Sequence, residues 1–204
     1  LEQMGLKGTR NYASALINLG NVHIARKSYE KAYGIDRQAL EILERLGGEA
    51  YQRAALYNNM SAALREVGRT KEAQDMALRA IEIIRELPEC TGELATSYTN
   101  LGQAQAKEYA FSDARQNLMH ALQLYENNSG DRDIHYANAV YALGNLDDAQ
   151  GYYENAEERY IRAAKLIERD FGHTCDYDQI MEELQRVRRK VKKVEGNGII
   201  PEFL

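Results

Sequence analysis

The sequence predicts an all-α solenoid of four helix-turn-helix repeats, followed by a C-terminal capping helix. Small residues recur at a fixed period, and the apolar residues between them keep helical spacing. The first small column advances in steps of 41, 41 and 42 residues, through Ala13, Ala54, Ala95 and Ala137. Three further columns keep these steps: Gly20, Ser61, Gly102 and Gly144; Ala32, Ala73, Ala114 and Ala156; and Ala39, Ala80, Ala121 and Ala163. Such a period is typical of repeat arrays, in which each unit buries its apolar face against its neighbours.

The composition fits one soluble, helical domain. Of the 204 residues, 28% are charged and 44% are hydrophobic, and only two are proline. No apolar run approaches the roughly 18 residues of a membrane span, and no signal peptide is visible. The net charge of −5 disfavours a general nucleic-acid binder. Cys90 and Cys175 are interpreted as reduced thiols, with one disulfide as the alternative, and this predicts a cytoplasmic location.

Each repeat is predicted to contain two helices, A and B. In the first repeat, helix A covers about Asn11 to Arg26, with Leu16, Leu19 and Val22 at helical spacing, and helix B covers about Tyr29 to Leu46. The small columns let the two helices approach closely, and a bulky residue there would cost about 1–3 kcal/mol. One extra residue precedes the fourth repeat, in a loop, where insertions are tolerated. The units span about 11–46, 50–87, 92–127 and 133–170, within 9–175.

The two ends of the chain differ in pattern. Residues 1–8 resemble the end of a helix B and are expected to belong to a preceding repeat, which would leave the first unit with a bare face. Residues 176–195 are predicted to form the capping helix, with Asp176 as its N-cap. The six basic residues within 186–193 are interpreted as a solvated face, with an anionic partner as the alternative. Residues 196–204 form an apolar tail, either disordered or docked in a groove.

The offsets within each unit match a known repeat family. Gly20, Ala32 and Ala39 stand 12 and 7 residues apart, and the aromatic Tyr29 begins helix B. In this pattern the chain resembles the tetratricopeptide repeat (TPR) family, over about Asn11 to Asp170. Asparagine-containing strings in the A helices resemble the long-repeat, kinesin light chain-like variety. The resemblance implies a right-handed TPR superhelix, in which the A helices line a concave groove and the B helices form the outside.

The resemblance also implies where a ligand would bind. Asparagine recurs in helix A, and its carboxamide both donates and accepts hydrogen bonds, so a row of asparagines can hold an extended peptide backbone. The residues predicted to line this peptide-binding groove are Asn18, Asn21, Asn58, Asn59, Arg65, Asn100, Gln103, Lys107, Asn138, Tyr141 and Asn145. The alternative is that the asparagines cap or brace neighbouring helices. A clamp for a ligand carboxylate is disfavoured, because Ile17 and Thr96 stand where such clamps have basic residues.

These observations predict a protein–protein interaction scaffold that binds an extended peptide in the groove and is not an enzyme. No catalytic or cofactor-binding motif is visible, and His173 with Cys175 does not make a zinc site. Two alternatives are a ligand-sensing or effector module of a larger, bacterial regulator, and a self-oligomerisation unit. The expected partners are a protein or peptide and a second copy of the chain, bound through the N-terminal face or the C-terminal tail. Nucleic acid and membrane are not expected.

Overall fold

The computed structural model describes residues 8–128 and 133–196. Within these ranges the regular structure is α-helical, apart from a short 3-10 helix at Pro88–Cys90, and the predicted all-α fold class is confirmed. The chain forms two compact units, 1–124 and 125–204. The helices are α1 (Arg10–Ala25), α2 (Tyr29–Arg45), α3 (Ala50–Glu66), α4 (Thr70–Ile84), α5 (Thr91–Lys107), α6 (Phe111–Asn128), α7 (Ile134–Gln150), α8 (Tyr153–Phe171) and α9 (Cys175–Gly196).

Three predicted features lie outside the described residues, wholly or in part. These are the segment at 1–7 that was expected to end a preceding helix, the loop before the fourth repeat at 129–132, and the tail from 197 onward. Helix α6 crosses the division between the units, so its residues to 124 belong to the first unit and the later ones to the second. None of the helices in the described ranges is long and apolar enough to cross a membrane.

Helix pairs joined by short turns build the first unit. Helix α1 packs against α2 and α3 against α4, while α2 also contacts α3 and α4 also contacts α5. Leu40 and Leu43 of α2 share one apolar cluster with Tyr57 and Met60 of α3. The helix B between two helices A therefore joins them through a continuous core, as expected when each repeat buries its apolar face against the next.

The small-residue columns lie at the helix contacts, as predicted. Ala13 of α1 and Ala32 of α2 are both 0% exposed. A Cβ atom on Gly102 would lie 2.8 Å from Cγ of Leu118 and 2.9 Å from the carbonyl oxygen of Ala114. Helix α6 thus approaches α5 so closely that no side chain fits between them at this position.

In the second unit, α8 packs against both α7 and α9. A Cβ atom on Gly144 would lie 2.7 Å from Cε1 of Tyr160, so glycine makes room for this ring. The Tyr160 hydroxyl donates a hydrogen bond of 2.7 Å to Oδ1 of Asn145. The pKa of the Tyr160 hydroxyl is raised, chiefly because the group is buried. Ile180 and Leu184 of α9 are also buried, so α9 closes an apolar core.

The start of α9 corrects one prediction. The helix begins at Cys175, and the hydroxyl of Thr174 accepts a hydrogen bond of 3.2 Å from the backbone N–H of Tyr177. The prediction of Asp176 as the N-cap is wrong, because Asp176 already lies in the first helical turn. A side-chain oxygen accepts best from N–H groups two or three residues ahead of it, and Thr174 stands three residues before Tyr177.

The basic run of α9 is partly paired inside the second unit. Arg186 reaches Asp148 at 2.8 Å and Arg188 reaches Glu157 at 2.7 Å, while Lys190 also bonds to Asp148. The basic partner of each pair is at least partly exposed, so each pair contributes little stability. Three of the six basic residues therefore have acidic partners within the second unit, and the interpretation of the run as a solvated face stays a prediction.

Candidate peptide-binding wall

One face of α1, α3 and α5 carries most of the predicted groove residues, and we call this face the wall. Its members stand three and four residues apart, so they project from the same side of each helix. They are Ser14, Ile17, Asn18 and Asn21 on α1; Ala55, Asn58, Asn59 and Ala62 on α3; and Thr96, Thr99, Asn100 and Gln103 on α5. All three helices belong to the first unit.

Hydrogen bonds between side chains join neighbouring helices across the wall. Nδ2 of Asn59 donates to Oδ1 of Asn21 at 3.1 Å, and Arg65 donates to Oε1 of Gln103. In both bonds the partners are 38 residues apart. A residue of one helix A therefore meets a residue that stands one turn further along the preceding helix A. These side chains link α1 to α3 and α3 to α5, so the wall continues across all three helices.

Asn58 and Asn100 brace the helices. Nδ2 of Asn58 donates to the carbonyl oxygen of Glu93 at 3.3 Å, and Nδ2 of Asn100 donates to the carbonyl oxygen of Asn58 at 3.2 Å. Both side chains are buried, with exposed fractions of 5% and 8%. The bracing alternative therefore describes these two residues better than ligand contact does. They fix the spacing of α3 and α5, on which the rest of the wall depends.

The remaining wall amides are open to solvent. Asn18 and Asn21 are exposed, while Asn59 and Gln103 are half-buried. The bond that joins two of these side chains uses Nδ2 of Asn59 and Oδ1 of Asn21. Oδ1 of Asn59 can therefore still accept a hydrogen bond, and Nδ2 of Asn21 can still donate one. Lys107 is exposed one turn beyond Gln103, at the end of α5. The arrangement can pair with a backbone that presents its own N–H and C=O groups.

The predicted groove residues of the second unit lie on α7. The Tyr141 hydroxyl accepts a hydrogen bond of 3.1 Å from Nε2 of Gln179 on α9. Asn145 accepts from Tyr160, and Asn138 is half-buried. Gln179 stands 38 residues after Tyr141, the same offset as in the wall. Helix α9 therefore lies beside α7 as one helix A lies beside the next.

Sequence reasoning missed Asp36, a buried carboxyl group in α2. Its exposed fraction is 0%, and within the described part of the chain neither carboxylate oxygen has a hydrogen-bond partner. Burial raises the pKa of Asp36 to about 7. The repeat period could have predicted this burial, because the equivalent residues in the other repeats are uncharged and buried. They are Ala77, Leu118 and Tyr160.

Among the described residues, no group of three or more histidine, cysteine, aspartate or glutamate side chains could hold a metal ion. The two cysteines are free, Cys90 buried and Cys175 exposed. Burial raises the pKa of the Cys90 thiol, so this residue is a poor nucleophile at neutral pH.

Comparison with known families supports the repeat assignment. The family model described as tetratricopeptide repeat matches the sequence twice, over residues 11–86 and 52–127, which together make up more than half of the chain. The chain belongs to the tetratricopeptide repeat family. Assignment of this TPR protein to the kinesin light chain-like variety stays a prediction.

One curated relative of the TPR chain is the human SH3 domain and tetratricopeptide repeat-containing protein 2. It is 30% identical over an alignment of 140 residues, and the match covers 61% of this chain. The matched region spans only 11% of the length of that relative. The similarity therefore concerns the repeat region and carries nothing about the rest of the larger protein.

Solved structures share the fold at low sequence identity. BtubC (BKLC) from P. vanneervenii has a TM-score of 0.70 and 17% identity, covering 96% of this chain and 85% of its own. The apo form of RapI has a TM-score of 0.65 and 17% identity, covering 94% and 74%. A Rap protein complexed with competence and sporulation factor has a TM-score of 0.70 and 19% identity, covering 92% and 53%. At these identities the likeness concerns the fold alone.

Proposed function

We propose that this TPR chain is a non-enzymatic protein-interaction scaffold that binds an extended peptide along the wall. The observation that carries the proposal is the set of solvent-accessible amides on one face, formed by Asn18, Asn21, Asn59 and Gln103. Asparagine is a mediocre helix former, and its retention in the middle of α1 and α3 needs a compensating role. For Asn18 no bracing role is visible, since its side chain is exposed and forms no hydrogen bond with another described residue.

The binding mode follows from hydrogen-bonding capacity. An extended peptide presents unpaired N–H and C=O groups, which the Asn59 oxygen and the Asn21 amide group can meet. Each such bond contributes a net ~0.5–1.5 kcal/mol, so several are needed for useful affinity. Ile17 and Ala55, which are half-buried beside the amides, would contact the ligand side chains and supply sequence preference. The solved Rap protein that is complexed with competence and sporulation factor is consistent with a ligand-binding TPR fold.

A peptide selection tests the proposal. Immobilised full chain is panned against a random peptide library, and the Kd of an enriched peptide is measured by calorimetry. The double variant Asn18→Ala, Asn59→Ala should bind about tenfold or more weakly, since it removes two amide side chains that can each form a hydrogen bond with the peptide backbone. Asn155→Ala, which removes an exposed asparagine from α8 outside the wall, is the matched control and should bind as the wild type does. Equal affinity of the double variant and the wild type would refute the assignment.

A second candidate function, self-association, is favoured by the outer face of α1. Leu19 is 44% exposed, whereas its equivalents Met60 and Leu101 are 3% and 5% exposed. Val22 is 45% exposed, whereas its equivalents Ala63 and Ala104 are 1% and 0% exposed. In α3 the equivalent residue is covered by the preceding helix B, as the cluster of Met60 with Leu40 shows. The sequence of α1 between its first and last turns has no charged residue, so two copies could pack α1 against α1 without like-charge repulsion.

Sedimentation velocity over a concentration series tests this candidate. The wild type should dimerise, and Leu19→Lys with Val22→Lys should be monomeric. The control pair Leu78→Lys with Met119→Lys changes exposed apolar residues on other helices and should still dimerise. A wild type that stays monomeric removes the candidate. The regulator-module alternative and the cytoplasmic location stay predictions.

A further inference from the structure

We propose that the peptide bound by the wall carries no charged side chains in its central segment. The inference rests on the proposed function of the wall and adds the chemical class of its ligand. The observation behind it is a contrast in charge: 28% of the chain is charged, yet none of the wall residues on α1, α3 and α5 is an aspartate, glutamate, lysine, arginine or histidine.

Charges occur only beyond the ends of the wall. Arg10 lies one turn before Ser14, and its guanidinium donates to the carbonyl oxygen of Leu46 at 3.3 Å. At the other end, Arg65 is 3.0 Å from Glu66 and also donates to Gln103. Lys107 is exposed one turn beyond Gln103, at the end of α5. The Arg65 charge is therefore balanced just beyond the wall, and the two turns of each helix that form the wall present amides, hydroxyls and apolar groups.

Because the wall carries no charged side chain, it disfavours ligands that would place a charged group at its centre. A carboxylate or phosphate at the centre of the wall would give up hydration without meeting a cation, and a lysine or arginine would meet no anion. An uncharged segment loses less hydration, because its backbone pairs with Asn21 and Asn59 and its side chains contact Ile17 and Ala62. A neutral surface also has little long-range field, so binding should depend weakly on salt.

The same observation separates two kinds of partner. Acidic peptides and nucleic acids bind through rows of lysine and arginine, which the wall lacks. The basic run that the chain does have lies on α9 of the second unit, where Arg186 and Arg188 are already paired with Asp148 and Glu157. The uncharged wall therefore favours a neutral peptide as the ligand. Binding of an anionic ligand instead is one of the results that the experiment below can give.

The composition of selected peptides tests the proposal. The wild-type chain is panned against a random library of peptides, and the enriched pool is sequenced and compared with the input. Charged residues should be depleted at the central positions of enriched peptides. The Kd of one enriched peptide should change less than about twofold between low and high salt, because no ion pairs form. Enrichment of acidic or basic residues, or a steep salt dependence, would overturn the neutral-ligand proposal while leaving a peptide-binding wall.

An isosteric charge change provides the second arm. Asn18→Asp adds one negative charge at an exposed wall position with little change in shape. Its selected pool should gain lysine and arginine, and it should bind the wild-type peptides more weakly. Asn155→Asp on α8 is the matched control, and its pool should equal that of the wild type. If Asn18→Asp selects an unchanged pool, the ligand does not cross Asn18 and the proposal fails. If no protein selects any peptide, the proposed function fails together with this inference.

Discussion

The carboxyl group of Asp36 packs directly on the backbone of Gly20, where α2 crosses α1. A Cβ atom on Gly20 would lie 3.0 Å from Cγ of Asp36 and would collide with its Oδ1 oxygen. Glycine is therefore required at this position by a polar group, whereas at Gly102 and Gly144 it makes room for leucine and tyrosine. The contact places an ionisable group in a site that is otherwise apolar, and the stability of the first helix pair becomes dependent on pH.

We expect the first pair to lose stability as the pH rises from about 4 to about 7. The folded pKa of Asp36 is raised from 3.8 to about 7, so the folded state holds the proton more tightly than the unfolded state does. The stabilisation that comes from this tighter proton binding is fully present below the unfolded pKa. It decreases as the pH rises between the two pKa values and is lost above the folded pKa. At about 1.4 kcal/mol per pKa unit, the total change is on the order of 4 kcal/mol.

The measurement is urea unfolding of the wild type and Asp36→Asn at pH 5 and pH 8, values chosen as roughly bracketing the folded pKa. The difference in unfolding free energy between the two proteins reports on Asp36 alone, because the histidines, which also titrate in this range, are the same in both. The wild type should weaken relative to the variant as the pH rises. A constant difference would show that Asp36 does not change its protonation between these conditions.

Replacement of Asp36 by the residue of the second repeat should stabilise the protein. Asp36→Ala copies Ala77, which is buried at the equivalent position. At pH 8 the variant should be more stable by about 1–3 kcal/mol, because a buried group without a hydrogen-bond partner is removed. Thermal unfolding followed by circular dichroism would show a higher Tm. Destabilisation at that pH would mean that the carboxylate has a compensating role.

Two glycine substitutions should change the stability of the protein in opposite directions. Gly102→Ala should destabilise by about 1–3 kcal/mol, since the new methyl group would meet the carbonyl oxygen of Ala114 on the backbone of α6. Gly34→Ala in α2 meets no heavy atom within 4 Å and should stabilise by roughly 0.5–1 kcal/mol through helix propensity. Chemical denaturation of both variants gives the comparison. Equal effects would contradict the close approach of α5 and α6.

The capping of α9 can be tested with a pair of neighbouring substitutions. Thr174→Ala removes the acceptor for the Tyr177 N–H and should cost about 1 kcal/mol. Asp176→Asn removes only a charge near the positive end of the helix dipole and should cost about 0.5 kcal/mol or less. Unfolding monitored on the second unit would rank the two. A larger loss for Asp176→Asn would restore the original N-cap assignment.

The repeat period and the helical pattern predicted the elements of this protein well. Small residues mark helix contacts because close packing excludes larger side chains wherever the helices meet, and this requirement is local to each pair. The N-cap prediction was wrong because two polar residues two positions apart, Thr174 and Asp176, both suit that role, and only the observed helix start distinguishes them. The buried Asp36 was overlooked because charged residues are rarely buried without a partner.

The sequence by itself determined the all-α repeat class, the family and the positions of the helix contacts, since each depends on a spacing that can be read along the chain. The tertiary structure decided what each asparagine of one column does. Asn18 is exposed, Asn59 bonds to Asn21, and Asn100 is buried against α3. The residue type and the register are identical in all three repeats. The difference arises because hydrogen-bond partners and burial depend on the neighbouring helices, which the local sequence does not contain.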